Sequence, residues 1–172
     1  MKNEIEKLRC EIDKLFVGFV SVNNTIKIDF EYIKEQIKKS ENKIQSSDYD
    51  GAMTNARSLL ESVLLFIMSG LNLNTDNCKG NLPKMYKILA NKLDLNHTTC
   101  IDASLRQLLS GCFSIIDALS CIRNKTSDAH GKEKIKYYKP ELRYAKFYVN
   151  IIRSLCEFIL EVHQTREDRI KN

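Results

Sequence analysis

The fold is decided by residues 49–69, which read YDGAMTNARSLLESVLLFIMS. Apolar side chains recur there at intervals of three and four residues, the spacing of one buried helix face. These are Ala52, Ala56, Leu59, Leu60, Val63, Leu64, Ile67 and Met68. Ser47 or Asp48, just before the stretch, can accept hydrogen bonds from the first free amides of a helix. We therefore predict a helix from about Tyr49 to Ser69, capped by one of these two residues.

The sequence on both sides of this stretch also has helical spacing. Before it, a helix from about Asp29 to Ile44 would turn Phe30, Ile33, Ile37 and Ile44 inward. After it, we predict a short helix starting at Pro83, a long one from about Asp102 to Asn124, and a last one from about Pro140 to Thr165. The long helix has an apolar stripe of Leu105, Leu108, Leu109, Cys112, Ile115, Ile116, Leu119 and Ile122. No strand pattern competes, so we predict an all-α bundle whose longest helices run antiparallel to their neighbours.

The N-terminal segment has a helical pattern of its own. Ile5, Leu8, Ile12, Leu15 and Phe19 are spaced three and four apart and form a heptad-like seam of about two heptads. Such a helix either packs on its own domain or docks on a second copy or another partner. We divide the chain into an N-terminal helical extension (residues 1–28), a helical domain (residues 29–165) and a charged, frayed tail (residues 166–172).

Composition limits the function classes. The chain has 172 residues, enough for one domain, and a net charge of +5 that permits contact with nucleic acid without requiring it. Its six cysteines include no C-x-x-C pair, so we expect reduced thiols and no metal site. The charged start, Met1-Lys2-Asn3-Glu4, is unlike a signal peptide, and the apolar stretch Leu59–Leu71 is too short to span a bilayer. We expect a cytoplasmic protein that does not bind a membrane.

The candidate site is the segment RNKTSDAHG, residues 123–131. The guanidinium of Arg123 suits phosphate, and the imidazole of His130 can exchange protons near neutral pH. Together they suffice for RNA cleavage without a metal, in which the 2′-hydroxyl attacks the neighbouring phosphate. In the alternative interpretation, Arg123 caps the end of the helix and His130 hydrogen-bonds a backbone group.

This segment resembles the R-x(4–6)-H motif of the HEPN superfamily, small helical domains that include many endoribonuclease toxins. An ordered set of further segments, between Asp48 and Val162, resembles the abortive-infection C-terminal (Abi-C) family. The set comprises Ala56–Val63, Asn81–Lys87, Leu108–Gly111, Ile122–Lys125, Asp128–Gly131 and Val149–Glu161. The resemblance implies a HEPN-like helical bundle, here with an additional N-terminal amphipathic helix.

The resemblance also implies roles for particular residues. Arg123, His130 and Asn124 would be catalytic; Lys125, Arg57 and Lys132 would bind RNA; Glu61 and Asp128 would support the site. By spacing alone, Arg57 and Glu61 form a surface ion pair of roughly a few tenths of a kcal/mol. HEPN domains commonly pair about a two-fold axis, so a homodimer with a composite site is expected. Lys132 stands where some HEPN toxins have a tyrosine that an antitoxin modifies, so that route of regulation is not supported.

Three functions follow as hypotheses. The first is a metal-independent endoribonuclease without a cofactor, acting on RNA in abortive infection and controlled by an antitoxin or a phage-derived trigger. The second is a non-catalytic interaction or sensor domain that uses the Ile5–Phe19 seam. The third is nucleotide binding without cleavage, for which the chain offers no glycine-rich phosphate loop. His97 and His163 lie outside the motif and are expected to be solvated or structural.

Overall fold

The computed structural model describes residues 28–95, 102–127 and 140–171, with side chains described up to Ile122 and Arg169 in the last two ranges. Within these ranges the chain forms five helices and no strand. They are α1 (Phe30–Gln45), α2 (Tyr49–Gly70), α3 (Leu82–Lys92), α4 (Ala103–Ser127) and α5 (Leu142–Lys171). The predicted all-α class is confirmed. The predicted N-terminal amphipathic helix falls on residues 1–27, outside the described residues.

Polar side chains start four of these helices, including α4, where the Oδ1 atom of Asp102 accepts a hydrogen bond of 2.9 Å from the amide of Leu105. The Oδ1 atom of Asp48 accepts a hydrogen bond of 2.9 Å from the amide of Gly51, which confirms Asp48 as the predicted cap of α2. Its Oδ2 atom accepts another, also of 2.9 Å, from Lys43. The bond from Lys43 and then the bond from Gly51 hold the pKa of Asp48 below its usual value. Asp29 and Asn81 cap α1 and α3 in the same way.

Helix α2 is the centre of the bundle and contacts each of the other four helices. Leu60, Leu64 and Ile67 on α2 are fully buried. Helices α1 and α5 cover one side of α2, while α3 bridges α2 and α4. The cluster of residues 49–69 that we identified in the sequence therefore forms the core.

The directions of the helices differ in part from the prediction. Helices α1 and α2 are joined by three residues, so they run antiparallel. Helix α5 runs parallel to α2, because it packs along α2 and His163, near the C-terminal end of α5, faces Gly70 at the end of α2. The expectation that the longest helices would be antiparallel to their neighbours is wrong for this pair. The crossover between them is made by the α3–α4 hairpin.

Three boundary predictions also need correction. Phe30 is 43% exposed rather than inward, because it is the first residue of α1. The last helix begins at Leu142, two residues after Pro140, and continues to Lys171. The tail is therefore helical rather than frayed up to residue 171, and Arg166 donates a hydrogen bond to the carbonyl of Lys92 at the end of α3.

The apolar stripe of α4 is mostly not buried, which contradicts the sequence prediction. Of its eight members only Ile116 and Leu119 are buried, and Leu108 is 64% exposed. The segment Ala103–Ile122 is also long and apolar enough to cross a membrane, although only 11% of it is buried in the fold. One such helix is weak evidence for a span, and this one carries the charges of Arg106 and Asp117.

Candidate functional site

The candidate site lies at the C-terminal end of α4, which extends to Ser127. Arg123, Asn124 and Lys125 are therefore within a helix, where the sequence predicted its end at about Asn124. Position 123 follows Ile116 and Leu119 by seven and four residues, so its backbone lies on the packed side of α4.

Tyr148 of α5 anchors this end of α4. Its buried hydroxyl donates a hydrogen bond of 3.2 Å to the carbonyl of Leu119. In an α-helix that carbonyl also accepts from the amide four residues later, which is that of Arg123. The same oxygen thus joins α5 to the helical turn that carries the motif arginine. The motif-based interpretation missed this contact of Tyr148.

The start of α5 lies beside this end of α4 and is basic. Arg143, Tyr144 and Lys146 are all exposed and lie within five residues before the Tyr148 anchor. The guanidinium of Arg143 lies 4.8 Å from the centre of the Tyr144 ring, and its Nε atom is 3.0 Å from a carboxylate oxygen of Glu141. The sequence RYAKFY, residues 143–148, alternates basic and aromatic residues, a signal that the analysis of the motif alone overlooked.

The remaining motif residues cannot be placed. Asp128, His130 and Lys132 belong to the segment 128–139, which lies outside the described residues. His97 belongs to another such segment, residues 96–101. Their assigned roles therefore stay predictions. The backbone places Arg123, Asn124 and Lys125 together on the last turns of α4.

Arg57 and Glu61 form an ion pair in which Arg57 is buried, whereas a pair on the surface was predicted. Their side chains pair at 3.2 Å, but Arg57 is only 7% exposed, so the expectation of a surface pair is wrong. Arg57 also donates a hydrogen bond of 3.0 Å to the carbonyl of Gly80, while its buried Nε atom has no hydrogen-bond partner. The pair fastens the loop before α3 to α2. The prediction that Arg57 binds RNA stays untested.

His163 is buried and 5% exposed, with its Nε2 atom 3.4 Å from Glu167. Burial is the main cause that lowers its pKa, the nearby Glu167 opposes that shift, and Arg166 adds to it.

No group of three or more His, Cys, Asp or Glu residues that could hold a metal ion occurs among the described residues. Tyr86 and Cys112 interact between α3 and α4, and burial raises the pKa of Tyr86 to about 12.

Comparison with family models identifies the class of this protein. The model of Abi_C, a HEPN-like domain, matches residues 31–163. This range includes α1 except for its first residue, all of α2 to α4, most of α5 and the whole RNKTSDAHG segment. The chain belongs to the Abi_C family, and its N-terminal seam and the last residues of α5 lie outside the matched range. Comparisons with curated proteins and with solved structures find no match.

Proposed function

We propose that this protein is a metal-independent endoribonuclease that acts in abortive infection. The observation that carries the proposal is the combination, within the matched HEPN-like range, of Arg123 with His130 seven residues later. The family itself supports a function related to abortive infection. The nuclease activity is inferred from the chemistry of the motif.

In the proposed reaction, a histidine takes the proton of the RNA 2′-hydroxyl, and the 2′-oxygen attacks the adjacent phosphorus. The bond from phosphorus to the 5′-oxygen breaks, and that oxygen receives a proton from a general acid. The products are a 2′,3′-cyclic phosphate and a 5′-hydroxyl end. Arg123 stabilises the added negative charge on the phosphate oxygens, and Asn124 orients the phosphate or the histidine. Positioned proton transfer contributes typically about 10²–10⁴-fold to such a rate.

One histidine cannot be base and acid in the same step, so the proposal includes a homodimer in which two His130 residues share a cleft. A two-fold dimer is also the commonest form of oligomer. Lys125 and Lys132 would contact RNA phosphates near this cleft. Arg57 is held inside the fold by Glu61 and Gly80, so we assign it to the support of the site with Glu61 rather than to direct contact with RNA.

The basic start of α5 supports the same proposal from the other side of the cleft. Arg143 and Lys146 would bind phosphates beside the end of α4, and the Tyr144 ring would stack on an unpaired base. All three are exposed and lie close to the turn that carries Arg123. We expect Lys146→Ala to weaken RNA binding and to reduce its dependence on salt concentration.

The proposal is tested by the requirement for the 2′-hydroxyl. Purified protein is incubated in excess EDTA with a cleaved RNA and with the same RNA carrying one 2′-deoxy residue at the cut site. We expect cleavage of the first and none of the second, and unchanged activity in His97→Ala, a histidine outside the motif. Cleavage of both substrates, or cleavage only without EDTA, would refute the proposed chemistry.

A second candidate is a non-catalytic interaction domain, and the exposed apolar side chains of α4 and α5 favour it. Leu108 and Phe147 are each 64% exposed. Exposed apolar side chains that lie next to each other are typical of a surface that binds a partner. In that case loss of protection against phage would follow Leu108→Asp and not His130→Ala. Protection that survives Leu108→Asp would reject this candidate.

A further inference from the structure

Helices α4 and α5 leave an apolar groove between them. It is lined on α4 by Leu105, Leu108, Cys112 and Ile115, and on α5 by Phe147 and Phe158 among others. The two helices run antiparallel along it, since the Leu105 end faces Phe158 and the carbonyl of Leu119 meets Tyr148. Apart from that anchor the pair makes little direct contact, so the groove is open to an occupant.

We infer that the N-terminal segment of the same chain occupies this groove, with the seam of Ile5, Leu8, Ile12, Leu15 and Phe19 packed between α4 and α5. The inference rests on the groove, the sequence pattern and the position where the described chain begins. It does not depend on the proposed nuclease activity, and it is an alternative to the use of the same apolar surface by a partner of a non-catalytic domain.

The dimensions of the groove and the seam agree. Along α4 the groove extends from Leu105 to Ile115, which is three helical turns or about 16 Å. A helix from Ile5 to Phe19 would be about 22 Å long and would present an apolar residue at every turn. The seam can therefore cover the groove along its full length.

Ile28, the first described residue, lies at the end of the bundle that is nearest to the Phe158 end of the groove. Ile28 is buried, and α1 starts beside the end of α2, because the two helices form an antiparallel hairpin. His163 of α5 faces Gly70 at that same end. Phe158, at the near end of the groove, is five residues or about 8 Å along α5 from His163. Residues 20–27 can span at most about 29 Å when extended, which is ample for this distance.

The energetic reason is the exposed apolar surface of α4. Only Ile116 and Leu119 of its apolar stripe are buried in the described fold. An apolar groove of this size is unfavourable in water, and an amphipathic helix laid in it covers the exposed leucines while its charged face stays hydrated. Tethering raises the local concentration of such a segment to the order of millimolar, so it competes well against an untethered partner.

A cysteine cross-link in the full-length chain tests this inference. Leu8→Cys is made with Cys10→Ser, Cys100→Ser and Cys121→Ser, leaving Cys112, which is half-buried and lines the groove, as the partner. Burial raises the pKa of Cys112, so its reaction with a monofunctional maleimide is verified first. Cys78 and Cys156 are buried and do not line the groove, so neither competes. In the matched control, Leu8 and Cys10 are kept; Cys10 lies two residues from Leu8 and Ile12, on the opposite face of the helix.

With a short bismaleimide we expect a link between position 8 and Cys112 within one chain, at a rate independent of protein concentration. It should form at least about tenfold faster than the link from Cys10, given millimolar effective concentration in one orientation only. A link between two chains would show that a second copy fills the groove, and no link would show another occupant; both overturn the inference. As a check without changes in the segment, Leu108→Asp should speed trypsin cleavage after Lys7, Arg9 and Lys14. Unchanged cleavage would also overturn it.

Discussion

Replacing Arg57 by methionine should destabilise the fold far more than a helix ion pair normally does. The substitution keeps an unbranched apolar stem and removes two hydrogen bonds, one to Glu61 and one to the Gly80 carbonyl. Hydrogen bonds to a charged group contribute about 1.5–3 kcal/mol each, but the buried Nε atom without a partner offsets part of this. We expect a loss of about 2–3 kcal/mol, or roughly 4–12 °C in Tm for a chain of this size.

A matched control is present in α5. Arg153 pairs with Glu157 at 3.0 Å with the same four-residue spacing, but both side chains are about half exposed. Arg153→Met should therefore cost only about 0.2–0.5 kcal/mol. The assay is urea denaturation followed by circular dichroism for both variants. Equal losses would refute the structural role of Arg57, and a folded Arg57→Met protein with weakened RNA binding would favour the predicted contact with RNA.

Three further predictions concern the core, the anchor and pH. Leu64→Ala should cost about 3–5 kcal/mol in urea denaturation, because Leu64 is fully buried at the centre of α2; a loss below 1 kcal/mol would contradict that packing. Tyr148→Phe should cost about 0.5–1.5 kcal/mol and speed amide exchange in residues 120–127, and unchanged exchange would show that the bond to Leu119 does not hold the end of α4. The pKa of His163 is lowered in the fold, so the unfolded chain binds the proton more readily. The contribution of neutral His163 is complete above about pH 6.5 and declines as the pH falls below it. Denaturation midpoints at pH 7.5 and 5.5 should therefore differ less in His163→Gln than in wild type, and an equal difference would refute the assignment.

Sequence spacing predicted the buried face of α2 well, because the positions that share one face of a helix follow from its local periodicity. Residues 49–69 repeat at helical intervals, and each predicted member of the stripe is buried. The capping role of Asp48 was also predictable, since a carboxylate just before a helix has free amides within reach. These features depend on neighbours within one or two turns.

The same reasoning failed for α4 because periodicity tells which side of a helix is apolar and not what covers it. Its stripe has the same spacing as that of α2, but the described fold covers only the part near Ile116 and Leu119. The direction of α5 relative to α2 was likewise not predictable, because it depends on how α3 and α4, which lie between them in the chain, pack on the bundle. Spacing also gave no sign that Arg57 would reach Gly80, 23 residues away.

The candidate site could be predicted in part. Arg123 and His130 were predicted from the chemistry of their side chains and from a resemblance to a family that the match over residues 31–163 confirms, and their role in the site stays a prediction. The contribution of α5 was missed, because Tyr148 approaches Leu119 only through the fold. Motif analysis considers residues that are close in sequence, whereas the described surroundings of Arg123 include α5, which begins only at Leu142.

We propose that Arg123 and His130 together catalyse RNA cleavage without a metal. The most direct measurement compares wild type, Arg123→Ala and His130→Ala, matched for circular dichroism and oligomeric state, on total RNA and tRNA in excess EDTA, with the end groups identified. We predict cleavage by wild type alone, leaving 2′,3′-cyclic phosphate ends. Equal cleavage by all three proteins, or intact RNA with folded dimeric wild type, would contradict the claim.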